Sequence, residues 1–408
     1  MLISPKILRD AEIIEDSLKD VFYEIDKTAF VNTQRVLSAF QKERVSEAMF
    51  FGSSGYGYED LGRDAIEHIY ASVFESEAAL VRLEFVNGTH ALACALFGCL
   101  HPGDKLLSVT GAVYDTLQTV LGICGDEPGN LRQYGVGYQQ AEIGEDFSQM
   151  LLADKSIRML YIQRSCGYEQ RSAMSIEDIS HIVKKVRNIR PDIIVMVDNC
   201  YGEFTETVEP TSVGADICAG SLIKNPGGGM ALRGGYICGQ KKLVDASAAR
   251  LTAPGIGAEC GSTLGQNRSI LQGFFVAPHT VSQALKTAVF CSALLEKYGF
   301  EVNPKSKDKR SDIIQKVILR SPESLVAFCG GIQAASPVDS YAKPEPWKMP
   351  GYESPVVMAA GTFVSGSTSE LSCDGPMREP YTAFIQGGLT YEAGKIGIMM
   401  ALNEMLGK

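Results

Sequence analysis

The stretch SIEDISHIVKKVRNIRPDIIVMVDNC, residues 175–200, decides the fold class. Its first part, 175–190, has the pattern of a helix, and Ser175 followed three positions later by Asp178 resembles a helix-capping pair. Its second part, DIIVMVDNC (192–200), is a β-branched apolar run that ends in polar residues. Such a run is typical of a parallel strand that is buried on both faces. The stretch therefore predicts a helix followed directly by a buried strand.

The same alternation recurs from about residue 60 to about residue 240. The patterns predict helices at 64–74, 91–100 and 116–124, and strands at 81–86, 105–110, 158–164, 215–224 and 234–239. Repeated strand–helix units of this length imply a parallel sheet with helices on both faces. We therefore expect an α/β fold.

The two ends of the chain have different patterns. Apolar residues recur at helical spacing in the N-terminal segment, which predicts an amphipathic helix. Residues 269–303 predict helical segments broken at Pro278 and then a strand. Further on, short strands are predicted at 324–333 and 356–363, with a final helix from about Tyr391.

A chain of 408 residues exceeds the roughly 250–300 residues that one hydrophobic core supports, so more than one domain is expected. We predict an N-terminal helical arm (1–55), a large α/β domain (56–270) and a smaller α+β C-terminal domain (271–408). No internal repeat divides the chain further.

Composition excludes several classes of function. The net charge of −10 disfavours nucleic-acid binding. The longest apolar stretch, about 91–100, is too short to span a membrane, which takes about 20 residues, and the N-terminus lacks the pattern of a signal peptide. The eleven cysteines are scattered without a C-x-x-C pair and there are five histidines, so a metal site is not expected. We expect a soluble cytoplasmic protein with reduced thiols.

Polar residues follow three predicted strands where a parallel sheet places its ligands. Asn87-Gly88-Thr89-His90 precedes the helix at 91–100, and the N-terminus of a helix is a natural phosphate seat. Asp198 ends one strand, and Lys224 lies 26 positions further along in GSLIKNPGGG (220–229). This lysine precedes the glycines, unlike the lysine of a P-loop.

These residues are the set that pyridoxal phosphate (PLP) requires. A lysine forms a Schiff base with PLP, an aspartate keeps its ring nitrogen protonated, and the helix N-terminus takes its phosphate. Ser221, three residues before Lys224, adds a hydroxyl near that phosphate. Each residue alone also has an ordinary structural explanation: His90 as a loop histidine, Tyr114 as a half-buried aromatic, and Lys224 as the end of an element.

Five motifs in this order resemble the fold-type I PLP enzymes of cysteine and methionine metabolism, a group that includes cystathionine lyases and methionine gamma-lyase. They are NGTHAL (87–92), VDNCYGEF (197–204), SLIKNPGGG (221–229), SELSCDGPMREPY (369–381) and QGGLTYEAGKIG (386–397). They are most similar to the branch labelled aluminium-resistance protein. The resemblance covers residues from about 25 to 405.

The resemblance implies a role for each matching residue. Lys224 would carry PLP, Asp198 would hold its ring nitrogen, Tyr114 would stack on the ring and assist proton transfer, and Gly88, Thr89, His90 and Ser221 would surround the phosphate. Arg378 would bind the substrate carboxylate, with Arg171 and Arg233 as weaker candidates.

The resemblance also implies assembly. The family's Tyr-x-Arg segment reaches a neighbouring subunit's phosphate, and here the corresponding segment reads GYGYEDLGRD (55–64). Tyr56 or Tyr58 would take the tyrosine's role, whereas the arginine is displaced to Arg63. We expect a homodimer or homotetramer whose active sites lie at the dimer interface.

The predicted activity is that of a PLP-dependent carbon–sulfur lyase, which acts on a sulfur-containing amino acid by α,β- or α,γ-elimination. Two alternatives stay open at this point. One is another fold-type I PLP activity, such as an aldolase, a desulfurase or an aminotransferase. The other is a non-catalytic descendant that keeps the fold for stress resistance, although a protein of that kind has no need of Lys224.

Overall fold

A computed structural model describes residues 3–125, 127–349, 352 and 354–407. The helices are α1 (Pro5–Ser17), α2 (Lys19–Glu43), α3 (Leu61–Val73), α4 (Gly88–Cys99), α5 (Asp115–Leu121), α6 (Ser148–Ala153), α7 (Ile176–Ile189), α8 (Lys241–Leu251), α9 (Asn267–Lys297), α10 (Pro322–Ala334) and α11 (Tyr391–Met405). The strands are β1 (Ala78–Arg82), β2 (Lys105–Ser108), β3 (Gly137–Gln140), β4 (Ile157–Gln163), β5 (Ile194–Asp198), β6 (Ile217–Ser221), β7 (Gly235–Gly239), β8 (Glu301–Asn303), β9 (Gln315–Ile318), β10 (Val356–Ala359), β11 (Ser372–Pro376) and β12 (Thr382–Gln386).

The first seven strands form one mostly parallel sheet. Their order is β1-β7-β6-β5-β4-β2-β3, and β7 alone among these strands runs antiparallel to its two neighbours. Hydrophobic clusters cover both faces of this sheet. The predicted mixed α/β fold with a mostly parallel sheet is confirmed.

The stretch that indicated the fold forms the predicted elements. Ser175 caps α7 by accepting from the Asp178 N–H, while the Asp178 side chain accepts from the Ser175 N–H, which completes a capping box. Residues Val195 to Val197 of β5 have no exposed surface. Strand β1 begins at Ala78 and ends at Arg82. It therefore lies three to four residues closer to the N-terminus than the predicted strand over 81–86.

The last five strands form a second sheet in the order β10-β11-β12-β9-β8, in which every neighbouring pair is antiparallel. Helices α10 and α11 pack on it through a separate apolar cluster. Helix α1 belongs to this cluster through Ile7, Ala11 and Ile14. The three-part domain division stays a prediction, and its boundary between 270 and 271 lies inside α9.

Two predictions for this half of the chain were wrong. Residues 324–333 form most of α10 and not a strand, because Ser321 caps the helix by accepting from the Ser324 N–H and Pro322 occupies its first turn. Pro278 does not break the helical segment: α9 continues through it from Asn267 to Lys297. Pro278 is buried, as are Ala277 before it and Thr280 after it, so the residue lies in a part of α9 that packs against the rest of the protein.

Candidate active site

A cavity of about 270 Å³ lies at the carboxyl ends of β5 and β6. The N-terminus of α4 and the start of α5 form one side of this cavity, and β11 and β12 of the second sheet form the other. Among the predicted site residues, it is lined by Gly88, Thr89, Tyr114, Asp198, Ser221 and Lys224. The location follows the rule that open parallel sheets bind ligands beyond the carboxyl ends of their strands.

Lys224 lies three residues after β6 ends, at the start of a tight 3₁₀ turn. Its Nζ is 3.6 Å from the centroid of the Tyr201 ring. Asn225 anchors the turn, because its side-chain Nδ2 donates to the backbone carbonyls of Tyr201 (3.0 Å) and Glu203 (2.9 Å). The Lys224 carbonyl also accepts from the Ser369 hydroxyl at 3.0 Å. The backbone of Lys224 is therefore fixed from both sheets.

The glycines after Lys224 allow this turn to pack closely. A Cβ at Gly227 would lie 1.7 Å from the Leu222 carbonyl oxygen, which no side chain tolerates. Gly228 has a φ of +55°, and a Cβ there would lie 2.2 Å from the carbonyl oxygen of Gly273 on α9. The two glycines therefore allow the turn that carries Lys224 to pack against Leu222 and α9.

Asp198 is held at the end of β5 by two donors. Its Oδ2 accepts from the Tyr161 hydroxyl at 3.1 Å, and its Oδ1 accepts from the Cys200 N–H at 3.1 Å. Burial raises the pKa of Asp198, against the hydrogen bonds and the Lys224 ammonium, which lower it. A cation beside this carboxylate would keep it ionised.

The N-terminus of α4 faces the end of β6. Asn87 caps the helix by accepting from the His90 N–H at 2.9 Å. A Cβ at Gly88 would lie 3.2 Å from the Ser221 Cβ and 3.4 Å from the Cys200 Sγ, so glycine lets the helix approach the strand. The Ser221 hydroxyl is buried and finds no partner within the described part of the chain.

The comparisons with known proteins identify the family of this chain. The methionine gamma-lyase family matches residues 7–406. The chain belongs to this family. A solved structure described as a carbon-sulfur lyase involved in aluminum resistance, from Clostridium novyi NT, is 51% identical, covers 98% of this chain and 96% of its own, and has a TM-score of 0.94.

Two further proteins are similar to this chain, one with high and one with low sequence identity. An uncharacterized protein of Bacillus subtilis (strain 168), YnbB, is 47% identical over 97% of this chain and 95% of its own length. A pyridoxal-5'-phosphate dependent protein of Escherichia coli, YhfS, is 16% identical, covers 95% of this chain and 97% of its own, and has a TM-score of 0.63, which shows a shared fold. The family match and the carbon-sulfur lyase neighbour support a PLP-dependent carbon–sulfur lyase family, which implies PLP as cofactor.

The residues of the cavity fit that cofactor. An unpartnered buried hydroxyl at Ser221 and the first-turn N–H groups of α4 supply donors for a phosphate. Asp198 supplies a carboxylate, and Lys224 supplies an amine in the same cavity.

No group of three or more His, Cys, Asp or Glu side chains suited to a metal occurs in the ranges that the structure describes. No helix in those ranges is long and apolar enough to cross a membrane.

Three tyrosines, Tyr114, Tyr201 and Tyr352, line the cavity of this lyase-family chain, and Tyr168 packs behind them. Tyr114 donates its backbone N–H to the Gln163 side chain at 2.7 Å, and its hydroxyl is 2.9 Å from that of Tyr352. Tyr168 packs against both rings, while Tyr201 lies under Lys224. Burial raises the pKa of the Tyr114 hydroxyl well above its ordinary value, so it is a neutral hydrogen-bond donor at neutral pH.

Four of the predicted residues do not line the cavity. His90 accepts from the Val86 N–H at 3.1 Å through Nδ1, and burial lowers its pKa. Tyr56 and Tyr58 stack on each other and are 74% and 61% exposed. Arg378 is exposed beyond the end of β11 and is not among the described residues that line the cavity.

The other arginines considered from the sequence are also outside the cavity. Arg63 Nη1 donates to the carbonyls of Gly57 (2.6 Å) and Gly261 (3.0 Å). Arg171 Nη2 donates to the carbonyls of Gln163 (2.9 Å) and Ser165 (2.5 Å), and Arg233 is exposed.

The sequence patterns missed the second sheet's contribution to the site. Asp374 on β11 and Gln386 at the end of β12 line the cavity, together with the hydroxyl residues Ser367, Thr368 and Ser372. The three hydroxyls are buried, without partners in the described residues. Asp374 and Gln386 belong to two of the motifs that carry the family resemblance. These motifs could have indicated both residues as site candidates, although Arg378 was the residue predicted from them.

Proposed function

We propose that this protein is a PLP-dependent carbon–sulfur lyase that acts on a sulfur-containing amino acid by α,β- or α,γ-elimination. The observation that carries the proposal is the convergence of Lys224, Asp198 and the unpartnered Ser221 hydroxyl on one cavity. A binding protein that only kept the fold would have no need of an amine and a buried carboxylate at these positions.

Each residue has a defined task in this proposal. Lys224 would hold PLP and, once released by the substrate amine, would take the proton from the substrate's Cα; PLP supplies the electron sink. Asp198 would pair with the ring nitrogen, Ser221 and the α4 N-terminus would hold the phosphate, and Tyr114 would contribute to the ring's binding surface. In α,β-elimination the Cβ–S bond would then break with its electron pair on sulfur, whereas α,γ-elimination would also require loss of a Cβ proton before the Cγ–S bond breaks. The departing sulfur takes up a proton and leaves as the thiol.

The remaining unsaturated amino acid is hydrolysed by water to a 2-oxo acid and ammonia. The substrate's α-carboxylate has acceptor oxygens, and the buried hydroxyls of Ser367, Thr368 and Ser372 are donors on the cavity wall. We assign them to the carboxylate, since no arginine is among the described residues that line the cavity of one chain.

Assembly completes the proposal. Tyr56 and Tyr58 are exposed on the segment that, in the related enzymes, reaches a neighbouring subunit. We propose a homodimer, alone or paired into a tetramer, in which this segment contacts the partner's phosphate site. Arg63 holds the segment against the loop at Gly261 and so presents the tyrosines outward.

The test combines a spectrum and a product assay. The purified protein should show the visible absorbance of a PLP–lysine imine, and Lys224→Ala should lose it. With L-cystathionine, L-cysteine or L-methionine, the wild type should release a thiol and a 2-oxo acid from at least one substrate. Lys155→Ala, which removes an exposed lysine, is the matched control and should keep both properties.

Two results would contradict the proposal. Absence of the absorbance band would exclude the cofactor assignment. A band that disappears in Lys224→Ala, without any thiol from the sulfur amino acids, would mean that the protein binds PLP and performs a different reaction.

A further inference from the structure

A second carboxylate faces the reaction chamber from the small sheet. Asp374 lies on β11, and its Oδ2 accepts from the Gln386 amide at 3.2 Å and from the Tyr168 hydroxyl at 3.4 Å. The residue is partly exposed to the cavity that also contains Lys224. Both donors are neutral, so neither compensates the charge of the carboxylate.

Once the proposed cofactor is bound, one of the two carboxylates that the structure describes on the cavity wall has no cationic partner there. Among the described lining residues, the side chains that carry charge are Lys224, Asp198 and Asp374. In the proposed function, Asp198 pairs with the ring nitrogen, and the Lys224 amine is committed to the cofactor and to proton transfer. Asp374 is then an enclosed carboxylate without a cationic partner, which is unfavourable unless a ligand supplies one.

The surroundings of Asp374 suit an ammonium group. The ring of Tyr201 already receives the Lys224 ammonium on its face at 3.6 Å, and aromatic faces attract cations. The Lys224 ammonium lowers the pKa of Asp374, whereas burial raises it to about 6. Once Lys224 is committed to the cofactor, an ammonium group of a ligand would favour the ionised carboxylate in the same way.

We propose that Asp374 selects substrates whose leaving thiol carries a second ammonium group. The inference rests on the proposed function and deepens it, because the substrate's α-amino group is used at the cofactor and cannot also pair with Asp374. Thiols with neutral alkyl or anionic ends would leave the carboxylate unpaired or repelled. A purely structural role, in which Asp374 only orients Tyr168, would not distinguish between these substrates.

The experiment uses two substrates of equal length that differ at one atom. S-(2-Aminoethyl)-L-cysteine ends in an ammonium, and S-propyl-L-cysteine ends in a methyl group. At pH 8, we expect kcat/KM to favour the aminoethyl substrate by roughly tenfold to a hundredfold, the range for a hydrogen bond to a charged group. In Asp374→Asn, the ratio should fall toward one. Asp245→Asn, at an exposed aspartate on α8, should keep the wild-type ratio.

Binding supplies a second readout that does not depend on cleavage. L-Lysine and L-2-aminoheptanoic acid have side chains of the same length as these substrates and the same two endings, an ammonium and a methyl group, but they contain no sulfur. Calorimetry gives their dissociation constants for the holoenzyme. Tighter binding of lysine that is lost in Asp374→Asn supports the inference. Equal binding, equal kcat/KM in the wild type, or a preference that survives in Asp374→Asn would overturn it. The proposed function is tested separately by thiol release from L-cystathionine, L-cysteine or L-methionine, and the binding pair decides the role of Asp374 whichever way that assay turns out.

Discussion

At the scale of single residues, Ser221 gives the most direct test of the phosphate seat. Its hydroxyl is buried and unpartnered within the described residues, so it contributes nothing to the fold and is available to a ligand. We expect Ser221→Ala to weaken PLP binding by roughly tenfold to a hundredfold, since a hydrogen bond to a charged group is worth about 1.5–3 kcal/mol. The free energy of unfolding of the cofactor-free protein should not fall, because no protein hydrogen bond is lost.

The measurement is a PLP titration of the cofactor-free protein, with urea unfolding of the same sample. Ser282→Ala is the matched control, since that hydroxyl donates to the His279 carbonyl within α9 at 2.7 Å. It should leave PLP affinity unchanged. A Ser221→Ala protein with unaltered affinity would show that the phosphate lies elsewhere.

The residue scale also shows what local sequence can predict. Gly88, Asp198, Ser221 and Lys224 could be placed together from the sequence because each lies at or within a few residues of the carboxyl end of a strand in one mostly parallel sheet, where those ends share an edge. Asp374 could not, because its approach to Lys224 depends on how the second sheet docks on the first, and no local pattern encodes that contact.

At the scale of elements, helix α10 shows that an apolar run alone does not distinguish a buried helix from a buried strand. Residues 324–333 are apolar enough for a buried strand, and periodicity alone does not separate a buried strand from a buried helix. The decisive features are the Ser321 cap and the close packing of Gly331 on α11, where a Cβ would lie 2.4 Å from the Ala401 Cα. The second of these is a tertiary contact that the sequence does not display.

Two adjacent glycines of α10 give a matched test of that packing. Gly331→Ala should lower the free energy of unfolding by about 1–3 kcal/mol, because its methyl group would force α10 and α11 apart. Gly330→Ala meets nothing within 4 Å and should raise stability by about 0.5–1 kcal/mol through better helix propensity. Urea unfolding of both variants measures the difference. Equal effects would show that the two helices do not pack through Gly331.

At the scale of the whole molecule, the exposed apolar residues of one segment support assembly. Phe51 is 77% exposed and Leu61 is 62% exposed, and between them lie the exposed Tyr56 and Tyr58. Contiguous exposed apolar surface of this kind marks interaction sites. This segment does not line the cavity of its own chain, which agrees with the proposal that it contacts the site of a second copy.

The double variant Phe51→Ser/Leu61→Ser tests this assembly. We expect sedimentation velocity to show a dimer or tetramer for the wild type and a shift toward monomer for the variant, because the apolar surface that associates is removed. Thiol release should fall in parallel, since Tyr56 and Tyr58 would no longer reach a neighbouring phosphate site. Leu152→Ser, at a 52% exposed leucine on α6, is the control and should retain both assembly and activity. A monomeric wild type with full activity would contradict the shared site, and it would require every cofactor contact to come from the one cavity of a single chain.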